Sequence, residues 1–80
     1  MLRPEDLRSC LEQGLQCELV RVAGDGQHFE AVIVSAEFRG KTRVQQHQLV
    51  YRALGDRMRA EIHALSMQTF TPEQWAAREA

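Results

Sequence analysis

Eighty residues give one domain with no room for a second core, spanning 1–80. A hydrophobic content of 44% and a charged content of 26% belong to an ordinary globular chain and exclude a disordered one. No apolar run approaches the roughly 18 residues of a membrane span, and no basic-then-apolar leader opens the chain, so a cytoplasmic protein is expected. The net charge of −1 hides an asymmetry: residues 37–60 carry six Lys/Arg against two acids, while both flanking segments are acidic. A basic middle third attracts phosphate or forms a solvated helix face.

Pro4 to Gly14 has helical character. Pro4 opens the helix, Glu5 and Asp6 suit the positive end of its dipole, and Leu7, Cys10 and Leu11 recur at helical spacing. Gly14 is the expected stop. Cys17 to Ala23 is a strand by length and β-branched content, with Leu19 on one face and Val20 and Val22 on the other. Gly24-Asp25-Gly26 is a turn signal, and a second strand from His28 to Ala36 completes a hairpin. Phe29, Ala31 and Ile33 share one face of that strand and Val32 and Val34 the other, which marks it as central.

Phe38 to Thr42 (FRGKT) is a short connection. A long helix follows, in which Val44, His47, Val50, Tyr51, Leu54 and Met58 fall close to one stripe, with Gly55 expected to bend or split it. Ala64 to Phe70 is the third strand, with His63 at its entrance. Thr71-Pro72-Glu73-Gln74 then begins the last helix, from Pro72 to about Arg78, with Trp75 and Ala76 turned inward. There the Thr71 hydroxyl and the Gln74 side chain cap each other's backbone N–H, and Pro72 occupies the first helical position. The order is α-β-β-α-β-α, an α+β fold with helices on one face of a small three-stranded mixed sheet.

The chemical candidates are few. His47 lies on the apolar stripe and is expected to be a hydrogen-bonded, partly buried histidine. Cys10 and Cys17 have neither CxxC spacing nor a disulfide framework, so buried free thiols are expected. His28, just past a turn, and His63, opening a strand, sit where side chains are exposed, but their spacing is not that of a one-segment metal site. Arg39, Gly40, Lys41 and Arg43 can contact phosphate, although the loop has one glycine where a backbone-cradling GxxG has two. No nucleophile motif, phosphate loop or paired-carboxylate pattern is present, and no enzyme activity is expected.

Three segments taken together resemble the BolA family: GDGQHF (24–29), FRGKTRVQQHQLVYRAL (38–54) and IHALSMQTFTPEQW (62–75). Their order and separation match across nearly the whole chain, and the small bacterial members close to the acid-stress type are the nearest in pattern. Gln46 departs from the Arg that often precedes the helix histidine. The resemblance implies an α-β-β-α-β-α fold similar to the type II KH module. It also implies a monothiol glutaredoxin partner and a bridging 2Fe–2S cluster shared with that partner and glutathione, absent from the isolated protein. His63 would be one ligand and His28 its companion. Alone, such a protein would be a monomer or weak homodimer. Neutral imidazole ligands raise a cluster's reduction potential relative to thiolates. They must also be deprotonated to bind, which links occupancy to pH near the free imidazole value of about 6.5. The other implied function is DNA binding in transcriptional regulation, through Arg39, Gly40, Lys41 and Arg43; the overall charge of −1 and the missing GxxG weigh against it.

Overall fold

The computed structural model describes residues 3–25, 27–55 and 64–79. The elements are α1 (Pro4–Gly14), β1 (Cys17–Gly24), β2 (His28–Ser35), a 3-10 turn (Ala36–Phe38), α2 (Arg43–Leu54), β3 (Ala64–Phe70) and α3 (Pro72–Glu79). The strands form one sheet in the order β1-β2-β3, antiparallel between β1 and β2 and parallel between β2 and β3. The α+β class, the mixed sheet and the central position of β2 are those expected from the sequence.

Register divides the sheet into two faces. Val20, Val22 and Gly24 of β1 stand opposite Ile33, Ala31 and Phe29, which in turn stand beside Thr69, Met67 and Leu65 of β3. This face meets Leu7, Leu11 and Leu15 from α1 and its exit, Phe38 from the 3-10 turn, and Val50 and Leu54 from α2. On the other face, Leu19 and Phe70 flank the buried Val34. There α3 is anchored by Trp75, whose ring lies 5.3 Å from that of Phe70, and by Arg21 and Arg78 stacked over the same aromatics. Two helices therefore cover one face, and the last helix reaches the other. Trp75 is half-buried as its spacing suggests, whereas Ala76 is exposed.

The helix boundaries have local causes. In α1, the Asp6 carboxylate accepts from the Arg3 N–H at 3.0 Å. In α3, Thr71 and Gln74 make the reciprocal pair of caps at 2.9 and 3.1 Å. Thr42 and Gln45 make the same pair at the start of α2, at 2.9 and 3.2 Å. The Ser35 hydroxyl, fully buried, donates to Gln16 O at 2.7 Å and accepts from Glu37 N at 3.1 Å. That bond starts the 3-10 turn and ends β2 one residue before Ala36. Gly55 caps α2 at φ 63°, so the glycine ends the helix rather than bending it.

Two expectations about α2 need correction. Val44 is 66% and Tyr51 41% exposed, while Gln46 is only 7% exposed and lies inward with Val50 and Leu54. The inner line is rotated away from the apolar stripe because Gln46 satisfies its polar atoms inside. Its Nε2 donates to Phe38 O at 3.2 Å and Lys41 O at 3.1 Å, and its Oε1 accepts from the Thr69 hydroxyl at 2.7 Å. Met58 lies outside the described residues. His47 is half-buried, as expected, but among the described residues its ring makes no hydrogen bond, contrary to expectation.

Gly14 has a role that its place at a helix end does not reveal. A Cβ there would lie 2.6 Å from Ala53 Cβ and 2.8 Å from Ala53 Cα, so the glycine lets α1 and α2 approach closely. Gly14→Ala is expected to lower unfolding stability by about 1–3 kcal/mol in urea denaturation, the cost of overpacking outweighing alanine's better helix propensity. A stability equal to or above that of the native chain would refute this account of the α1–α2 contact.

Candidate functional site

The hairpin between β1 and β2 is built around one carboxylate. Asp25 Oδ1 accepts from the Gln27 N–H at 3.0 Å and the His28 N–H at 2.9 Å, and Asp25 N donates to His28 O at 3.2 Å. These bonds fix the backbone of His28 at the first position of β2 and leave its imidazole exposed. The bonds from His28 and Gln27 hold the Asp25 carboxyl below the usual carboxylate range.

The parallel pairing then brings the third-strand motif alongside. His28 and Ala64 are register partners, and the Ala64 N–H donates to Gln27 O at 3.2 Å. Ala64 is the residue that follows His63 in the chain. His63 itself lies outside the described residues. Among the described residues, no group of three or more His, Cys, Asp or Glu side chains is arranged to hold a metal ion.

The basic loop lies at the opposite end of β2. Arg39 is not left to solvent: its guanidinium forms a bidentate pair with Glu73 of α3, the Nε–Oε1 contact measuring 2.9 Å. The pair holds the Glu73 carboxyl below its ordinary range. The Arg39–Glu73 pair ties the β2–α2 connection to α3 across 34 residues of sequence. Gly40 turns the loop at φ 74° in open space, and Lys41 and Arg43 are exposed. Arg43 stands one helical turn before His47, whose imidazole is pushed below its ordinary value by burial and then by the Arg43 charge.

The cysteines carry no sign of reactivity. Both are free and half-buried. Burial, with Glu37 and Glu12 nearby, pushes the Cys17 thiol up to about 11, and its Sγ lies 3.8 Å from Leu11 O. A thiol in that state is not a nucleophile at neutral pH. Three residues of the site region had no job in the sequence reading: Asp25, Glu73 and Gln46. The turn signal around Asp25 contained the clue to the first. The partners of Glu73 and Gln46 are too far away in sequence to have been seen.

With this fold and geometry in hand, the comparisons with known proteins agree. The family described as "BolA-like protein" matches residues 9–74, and the chain belongs to it. It is 38% identical over 72 residues to the acid stress protein IbaG of Escherichia coli, covering 89% of this chain and 86% of that protein. It is 46% identical over 55 residues to the DNA-binding transcriptional regulator BolA of Haemophilus influenzae, a match covering 69% of this chain. The chain spans 53% of that Haemophilus relative and 58% of mouse BolA-like protein 1. Among solved structures, a BolA homologue from Coxiella burnetii superposes with a TM-score of 0.87 at 42% identity, covering 95% of this chain and 99% of the other. A related Babesia bovis protein gives 0.88 at 30% identity, covering 100% and 96%. Among the described residues, no helix is long and apolar enough to cross a membrane.

Asp25 generates a testable expectation. A carboxyl whose value is depressed on folding contributes fully above the unfolded carboxylate range and loses its contribution as pH falls through the depressed value. Asp25→Ala should therefore speed amide exchange of Gln27 and His28 at neutral pH. Acidification of the native chain into the low carboxylate range should lower the protection of both amides relative to their intrinsic exchange, which itself slows in acid. Equal protection of both amides in the variant and the native chain would show that the carboxylate does not build the turn.

Proposed function

We propose that this protein binds a monothiol glutaredoxin and supplies histidine ligation to a 2Fe–2S cluster shared with that partner and glutathione. The observation that supports this is the parallel register of β2 and β3. It sets His28 beside Ala64, so the GDGQHF and HALS segments start at the same end of the sheet. The donor chemistry fits the group. His28 is exposed, its backbone is fixed by Asp25, and its imidazole makes no hydrogen bond among the described residues. His63 precedes Ala64 and is the second donor in this reading. Two imidazoles are half of the four protein-side ligands of a 2Fe–2S centre, as in the mixed His and Cys ligation known to raise its potential. Thiolates from the partner side would complete the set.

When bound, the cluster supplies one-electron chemistry or is passed on as cargo. The Asp25 turn fixes the backbone of His28 at the start of β2, and His63 is the residue that precedes β3 in the chain. Protonation of either imidazole removes a donor, so occupancy falls as pH drops.

His63→Ala is expected to abolish or alter the visible and circular dichroism spectrum of the reconstituted heterodimer, and His28→Ala to shift it less. An unchanged spectrum with His63→Ala would remove this reading.

A second reading, DNA binding through the basic loop, draws support from the name of the Haemophilus relative and from the exposure of Lys41 and Arg43. Arg39 is committed to Glu73, so loop charge is partly neutralised. If DNA docks on this loop, Glu73→Gln frees Arg39 and raises affinity at low salt, with a steeper salt dependence by about one phosphate contact. An unchanged affinity and salt slope would take DNA contact away from Arg39.

A further inference from the structure

One cleft, apart from Arg43, is lined by residues that neither reading uses. It has a volume of about 380 Å³ and runs along the unpaired edge of β3, between α2 and α3. Arg43 and His47 line it from α2, Met67, Gln68, Thr69 and Phe70 from β3, and Arg78 from α3. No carboxylate is among these lining residues. The contrast is with a larger cleft of about 540 Å³ near Cys17, which Glu12, Glu18 and Glu37 make unfit for an anion.

Arg78 is held from behind. The Arg78 guanidinium lies 5.3 Å from the Phe70 ring centroid and 5.8 Å from that of Trp75, and its Nη1 lies 3.5 Å from Gln68 Oε1. Stacking on a ring face leaves the in-plane N–H groups of a guanidinium free to donate. Arg43 is at the first position of α2, where the helix dipole adds positive potential, and one turn separates it from His47. Behind His47, Gln46 bonds Thr69 and fixes the spacing of α2 from β3.

We propose that this cleft binds a terminal phosphate, the dianionic monoester group of a small phosphorylated ligand or of a nucleic-acid end. Two guanidinium groups, an imidazole and the Gln68 amide line the one cleft, a donor set suited to three terminal oxygens and a charge of about −2 at neutral pH. A diester in a nucleic-acid backbone offers two free oxygens and one charge, and it fits the set less well. This site shares Arg43 with the DNA reading but otherwise lies beside β3, and it does not depend on cluster binding.

The bound anion favours the imidazolium form of His47, because it offsets the charges of Arg43 and Arg78. These are the charged groups that line the cleft from α2 and α3; β3 contributes none. The His47 titration midpoint, now held down by burial and Arg43, therefore moves upward on saturation.

The test is proton NMR of the imidazole signals in the full chain, with His47→Gln used to assign its resonances. Three probes are titrated: inorganic phosphate, a 5′-phosphorylated dinucleotide and the same dinucleotide with a 5′-hydroxyl. The expected result is a saturable shift of His47, but not of His28, with the first two probes and none with the third. Arg43→Gln should weaken phosphate about tenfold. That arginine is exposed and has no role in packing, so the variant folds. Arg78→Lys keeps the charge without the planar fork and should weaken it by a smaller factor. The proposal falls if phosphate gives no saturable His47 shift, if Arg43→Gln binds it unchanged, or if the 5′-hydroxyl dinucleotide binds equally well.

Discussion

Parallel pairing of β2 with β3 sets where every candidate residue falls, because two parallel strands begin at the same end of a sheet. Antiparallel strands would have put His28 and Ala64 at opposite ends, some 20 Å apart over seven residues. Parallel neighbours need a crossover, and here α2 provides it. The crossover is stabilised by contacts that no histidine makes. Phe38 is fully buried under α2, Gln46 ties the loop and β3 to the helix, and Gly14 lets α1 close against Ala53.

Gln46 is the most informative of these. A buried primary amide is tolerated when its donors and acceptor are paired, and costs about 1–3 kcal/mol for each group left unsatisfied. Its partners are two loop carbonyls and the hydroxyl of Thr69, so one side chain fixes the loop, the helix and the edge strand together. The Arg39–Glu73 pair repeats the arrangement on the surface, joining the same loop to α3. A surface pair of this kind contributes little stability by itself. Its effect here is on charge: it removes one of the cations that the linear sequence seemed to offer to phosphate.

How much of this was legible in the sequence depended on range. Thr71 and Gln74 are three residues apart, so their capping pair could be read directly, and the bonds are present. The strand alternation of Phe29, Ala31 and Ile33 against Val32 and Val34 gave β2 its central place for the same reason. Thr42 and Gln45 form an equally local pair, three residues apart, and the same signature of Thr followed by Gln marks the start of α2. Long-range bonds were not legible. Val44 was assigned inward and Gln46 was not, because periodicity counts apolar residues and cannot see that Phe38, Lys41 and Thr69 will converge on an amide. His63, on which the cluster reading leans most, lies outside the described residues, and its assignment rests on the HALS motif and its position in the chain.

The two ends of β2 and β3 therefore carry different chemistry. At one end, His28 stands beside Ala64; at the other, Val34 pairs with Phe70, and the basic loop, the α2 cap and the Arg78 cleft gather around them. Six residues at about 3.3 Å each separate the ends by about 20 Å, well beyond the Debye length of about 8 Å at physiological salt. A ligand at either end is then nearly invisible electrostatically to the other, and neither set of residues is shared. Cluster ligation and anion binding are compatible on one copy of the chain. Coupling between them would require an element with two packed arrangements, since coupling follows from differential binding to two states and not from occupancy alone. The strands offer none, being hydrogen-bonded along their length.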